Sequence, residues 1–231
     1  MNKAEKFEDF LKSVNLVGYR LKYRPIKLVE MDLPKEIQAI AMLYKVYWAE
    51  KRLLDFEDFY REYLKKHKAD IEAFRVKITM CKDCYYRGLP ARIYRTWASL
   101  ITQIYAGYVA ESVFGEGSTT MSVELDHQGA DFQVLYREKI LNYQVKKASF
   151  SREIRRSKEF GKKIKGQFID IKYEVPSDDY FVNPKKKDGQ YKLPYSRFIN
   201  NKELKRLPNG FVVFTSHPFE MMKERIDSTA K

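Results

Sequence analysis

Asp131-Phe132-Gln133-Val134-Leu135-Tyr136 and, just beyond, Ile140-Leu141-Asn142-Tyr143-Gln144-Val145-Lys146 both alternate at period two, and this pair of runs decides the fold. Phe132, Val134 and Tyr136 alternate with Asp131, Gln133 and Leu135; Tyr143 and Val145 face one way while Asn142, Gln144 and Lys146 face the other. Successive side chains of a strand point to opposite faces, so the spacing predicts two strands joined by a short hairpin. Gly129-Ala130 gives the backbone freedom just before the acid. The polar triplet of the second strand can then look at Asp131.

That convergence has the chemistry of a metal-assisted nuclease. A carboxylate can hold Mg²⁺ against a scissile phosphate, while a lysine positions or deprotonates the attacking water and offsets developing negative charge. Asp126, five residues before Asp131, adds a second acid. The bland alternative is a solvated strand face with ordinary charges. Two other segments repeat the short pattern, Asp170-Ile171-Lys172 in the alternating stretch 167–175 and Glu203-Leu204-Lys205 in a polar stretch. The hairpin context favours the 131–146 pair over both.

Upstream, residues 97–114 carry Leu100, Ile104, Tyr108 and Phe114 at helical spacing and stop before Gly115 and Gly117, which predicts a helix. Glu111 lies near its end, where the chain is expected to feed a strand carrying Asp126. It is a candidate metal ligand or a support for one; the alternative is a surface glutamate at a helix terminus.

These blocks resemble the Taq-type type II restriction endonucleases, which cut the palindrome TCGA. The resemblance rests on 22–27 leading into 29–34, on Leu125-Asp126-His127-Gln128-Gly129-Ala130-Asp131, and on Gln144-Val145-Lys146-Lys147, in the family's order. It spans most of residues 5–150; beyond that only a late strand at 211–214 is placed. The resemblance implies the wider PD-(D/E)xK nuclease fold, an α/β core with a mixed sheet flanked by helices, and Mg²⁺-dependent hydrolysis leaving 5′-phosphate ends. It puts Asp131 and Asp126 at the paired acids, Lys146 at the lysine, and Gln144 where Glu or Asp usually stands. An amide brings no negative charge, which leaves room for Asp126 or Glu111 to compensate. A host with such an enzyme is expected to carry a cognate DNA methyltransferase.

Composition agrees. The formal charge of +13 over 231 residues, 44 Lys and Arg against 31 Asp and Glu, suits a polyanionic partner, double-stranded DNA first. No run approaches the roughly 20 apolar residues of a membrane span, and the first residues lack a signal peptide's apolar stretch, so a cytoplasmic protein with no membrane partner is expected. Lys147, Ser149, Arg152, Arg155 and Arg156, in the basic stretch after the second strand, are candidate DNA contacts; a solvated loop is the alternative. The run 184–189 reads as a turn on Asp188-Gly189. Cys81 and Cys84 form a CxxC that could be half a zinc site or a redox pair, but too few histidines accompany them for a structural zinc, and two reduced thiols are expected.

Helices are expected over 4–14, 35–50 and 55–75, and Pro25 and Pro34 bracket an expected extended or turning stretch containing Lys22, Arg24 and Lys27. Tyr44, Tyr47, Trp48, Phe56, Phe59, Tyr60 and Tyr63 recur at three and four residues, which points to core rather than base stacking. The organisation expected is a helical N-terminal region, 1–95, packed on a nuclease core, 96–231, that carries the basic segments. A palindromic target implies a homodimer. Two rival readings are a nuclease core of another target, junction-resolving or modification-dependent, and a basic DNA-binding protein without catalysis.

Overall fold

A computed structural model of the chain describes residues 2–26, 33–148 and 164–229, with backbone alone for 146–148 and 172. Five helices come first: α1 (Lys3–Ser13), α2 (Leu16–Tyr23), α3 (Ala39–Leu43), α4 (Phe56–Lys77) and α5 (Lys82–Phe114). The first, second and fourth begin at side chains that suit a helix start. Asn2 and Glu5 close a capping box, Asn15 accepts the Gly18 N–H, and Asp55 accepts the Asp58 N–H. Between α3 and α4 the chain makes a π-helical turn, Tyr44–Ala49. Lys22 falls in α2 and Arg24 caps it, so the start of the stretch expected to be extended is helical; Lys27 lies outside the described residues.

The long helix α5 is the spine. It begins at Lys82, well before the predicted residue 97, and runs through Pro90. A proline inside a helix costs about 3 kcal/mol, and the burial of Leu89, Ala91, Ile93 and Tyr94 around it supplies the offset. α5 packs against α1, α3 and α4, and the division expected at 95/96 falls within it. Cys81 and Cys84 were expected as thiols, but the structure joins them in a disulfide at the start of α5, with Cα atoms 5.4 Å apart, a separation a disulfide spans without backbone movement.

The sheet follows: β1 (Thr119–Thr120), a one-turn helix α6 (Val123–His127), β2 (Phe132–Tyr136), β3 (Lys139–Ala148) and β4 (Gln167–Glu174), in the order β1-β2-β3-β4. The first two pairings are antiparallel and β3/β4 is parallel, so the sheet is mixed. The β2/β3 hairpin turns on Arg137 and Glu138, both left-handed at φ 45° and 64°, the twist a two-residue hairpin requires. Then come α7 (Asp178–Val182), α8 (Leu193–Ile199), the antiparallel pair β5 (Leu204–Arg206) and β6 (Val212–Phe214), and α9 (His217–Thr229). The predicted turn at 188–189 is present, closed by the Lys186 N–H to Gln190 carbonyl bond.

Aromatic side chains fill the interface between helices and sheet. Phe132 stacks on Tyr143 at 4.9 Å, and Phe219 of α9 packs on both. In the helical half, the Trp97 indole donates to the Tyr47 hydroxyl, which donates to the Leu54 carbonyl, and Tyr63 donates to the Ile37 carbonyl. All seven aromatics assigned to the core are buried or packed against it. No helix among the described residues is long and apolar enough to cross a membrane.

Candidate active site

Asp131 stands just before β2 and is fixed by two hydrogen bonds to β3. Its backbone N–H donates to the Tyr143 carbonyl at 2.8 Å, and its carboxylate accepts the Val145 N–H at 2.5 Å. The side chain thus takes the place of a ladder carbonyl, and the residue is 9% exposed. Gly129, at φ +88°, makes the turn that delivers it. Extending the Phe132↔Tyr143 register by one residue sets Asp131 opposite Gln144. Lys146 lies two residues further along β3 than Gln144.

Asp126 was expected on a strand, and the structure corrects this: it sits in α6. The Ser122 hydroxyl accepts the Leu125 N–H at 3.2 Å and starts that turn. The Gly129 and Ala130 N–H groups then donate to the Asp126 and Leu125 carbonyls and fold the segment back toward Asp131. Burial pushes the Asp126 carboxyl above its ordinary range, against the opposing pull of His127 and the Tyr44 hydroxyl. That hydroxyl is buried and makes no hydrogen bond of good geometry among the described residues, yet lies close enough to Asp126 to interact with its carboxylate. Burial, then Asp126 and Asp131, keep it protonated. A buried, unsatisfied O–H beside two carboxylates is a donor awaiting an acceptor.

Glu111 has other partners. Its carboxylate accepts from Lys3 Nζ at 3.3 Å and from the Gly117 N–H at 3.0 Å, which ties α1 to the end of α5. Among the described residues, no three Asp, Glu, His or Cys side chains stand together closely enough to hold a metal ion. Mg²⁺, however, needs only one or two protein carboxylates, since it retains water and takes phosphate oxygens. Asp131 and Asp126 fit that donor set.

Asp170, which the sequence left as a rival, is brought next to the site. It is the register partner of Gln144 across the parallel β3/β4 pair, and Lys146 pairs with Lys172 in the same way. Of the candidate DNA contacts, Lys147 is in β3, while Ser149, Arg152, Arg155 and Arg156 lie outside the described residues.

Sequence reasoning missed the outer face of α5. Arg92, Arg95, Ser99 and Gln103 line, with Asp126, a cleft of about 320 Å³. With Thr96 and Thr102 they form a polar stripe at three- and four-residue spacing on a helix whose other residues from 88 to 111 are mostly buried. The signal was that periodicity, hidden by the apolar residues around it.

A mixed four-stranded sheet flanked by helices is consistent with a restriction-endonuclease-like core. The chain belongs to the TaqI restriction endonuclease family, whose pattern it matches over residues 4–226. It is 33% identical over 218 residues to the type II restriction enzyme TthHB8I of Thermus thermophilus, covering 91% of this chain and 82% of that one. To the type II restriction enzyme TaqI of Thermus aquaticus it is 32% identical over 220 residues, with the same coverage. No solved structure matches it significantly. The protein is accordingly a type II restriction endonuclease, a site-specific endonuclease of DNA.

Proposed function

We propose that the enzyme cuts both strands of duplex DNA at TCGA in a Mg²⁺-dependent hydrolysis that leaves 5′-phosphates, acting as a cytoplasmic homodimer alongside a cognate methyltransferase. The observation that carries the active-site assignment is Asp131, clamped by two hydrogen bonds to β3 and set opposite Gln144. In this reading Asp131 and Asp126 would hold the ion, with the Gln144 amide oxygen beside them. Glu111 would join only by giving up Lys3 and Gly117. When bound, Mg²⁺ supplies positive charge at the scissile phosphate.

The remaining work belongs to the chain's own residues. Asp131 is pre-positioned by the Val145 N–H, so its carboxylate need not reorganise when substrate arrives. Tyr44 orients the Asp126 carboxylate by donating a hydrogen bond from its hydroxyl. Lys146 orients the attacking water and offsets charge on the phosphorane-like transition state. Lys147, Ser149, Arg152, Arg155 and Arg156 hold the DNA beside the site.

Digestion of a mapped, unmodified plasmid with and without Mg²⁺, followed by sequencing of the ends, tests this reading. Discrete fragments ending at TCGA with 5′-phosphates support it. Cleavage only of branched or methylated DNA would replace the target, and salt-sensitive binding with no cleavage at any Mg²⁺ concentration would remove the catalytic assignment.

A further inference from the structure

On the far side of the α5 polar stripe, Arg20 and Arg24 at the end of α2, Arg206 of β5 and Arg95 of α5 open onto a cavity of about 500 Å³. Asp178, at the start of α7, is the one acid among the described residues that lines it. Arg20 Nη1 reaches the two Asp178 oxygens at 3.2 and 3.1 Å, while Arg24 and Arg206 approach only to 3.5 and 3.7 Å. One carboxylate cannot satisfy three guanidinium forks, and the three arginines and the aspartate carry a net charge of +2. A phosphate presents more acceptor oxygens to such forks and carries the charge they lack.

The cavity is also shaped for the guanidiniums. The Gly210 carbonyl accepts from Arg20 Nη2 at 3.2 Å, and a Cβ on Gly210 would stand 3.0 Å from Arg20 Nη1 and 3.2 Å from Arg206 Nη2. Arg206 lies 4.4 Å over the Phe181 ring, which fixes its plane. The position ties the cavity to the reaction centre. Arg95 and Ser99 line both this cavity and the cleft that contains Asp126. Tyr173 also lines it, and its hydroxyl, raised first by burial, feels the Asp131 carboxylate next.

We propose that Arg20, Arg24 and Arg206 bind a backbone phosphate of the duplex away from the scissile bond, and that Asp178 holds their guanidiniums in place until the phosphate replaces it. This rests on the DNA-cleaving reading for its ligand, but not on the assignment of the catalytic residues. Asp178 is then a competitor of DNA, and removing its charge strengthens binding.

The test is a binding titration without divalent metal, so that cleavage does not enter, on a duplex containing TCGA and on a scrambled duplex, at several salt concentrations. Arg24→Gln/Arg206→Gln should weaken both duplexes alike and reduce the slope of log K against log salt by about 0.9, the loss of one phosphate contact. Asp178→Asn should tighten both several-fold. Unchanged affinity and slope in arginine variants that melt like the parent, or no tightening by Asp178→Asn, overturns the proposal and leaves a purely structural ion-pair network. If the arginine variant does not fold, Asp178→Asn decides alone. Whether the unmodified enzyme cuts plasmid in Mg²⁺ is read separately, so failure of the cleavage reading and failure of this site are distinguishable.

Discussion

Replacing Asp131 by Asn and by Ala separates what that carboxylate does for the fold from what it does for the reaction. Its oxygen accepts the N–H of Val145, a residue only 6% exposed. Alanine leaves that donor buried and unpaired, which costs about 1–3 kcal/mol; at about 2–4 °C per kcal/mol for a chain of this size, the melting temperature falls by about 2–12 °C. Asparagine keeps an acceptor oxygen in the same place and should melt close to the parent. Both lose the charge assigned to the metal, and withdrawing several kcal/mol of transition-state stabilisation should slow cleavage at least about a thousandfold. Thermal melts and single-turnover cleavage of a TCGA duplex measure the two effects. Near-parental cleavage by Asp131→Asn would refute the catalytic role, and an Asp131→Ala variant as stable as the Asn variant would refute the structural one.

Lys146→Ala should abolish cleavage and retain duplex binding, whereas Asp170→Asn should cut within a few-fold of the parent rate, because Asp170 is a further strand spacing, about 4.8 Å, from Asp131; the reverse outcome moves the chemistry to β4. Burial raises the Asp126 carboxyl, so the charged form, which we propose holds the metal, is lost at a higher pH than for an ordinary aspartate. The acid limb of the cleavage-rate profile should therefore lie above the ordinary aspartate range and move in Asp126→Asn. Glu8 provides a stability test: burial alone would raise it, but hydrogen bonds from Lys205, Tyr105 and Lys12 overcome that and hold it at about 2 against an ordinary 4.5. Its contribution is present above about pH 4.5 and lost as the pH falls towards 2, so the melting-temperature gap between Glu8→Gln and the parent should close over that range.

The hairpin was legible because its evidence is local: period-two alternation in β2 and β3 and a glycine before Asp131 need no knowledge of the rest of the chain. The helices were legible for the same reason, as the aromatics of α4 recurring at three and four residues illustrate. Asp126 was misplaced because a one-turn helix is too short to show a period, and its Ser122 cap is the only trace it leaves. Asp170 carried the right strand pattern, but alternation says nothing about which strand lies alongside, so its pairing with Gln144 became visible only in the sheet. Tyr44 was correctly read as core, yet a buried ring leaves open where its hydroxyl points. The arginine cavity joins residues 20, 24, 95, 178 and 206, and no window of sequence contains them together.

The most direct measurement of the central claim is a crystal structure of the enzyme with an uncleaved TCGA duplex and Mn²⁺, whose anomalous signal locates the ion. The peak is expected between the Asp131 and Asp126 carboxylates and one phosphate oxygen, with the Lys146 amine directed at that phosphate. An ion seated elsewhere, or Asp131 and Lys146 facing away from each other, would contradict it.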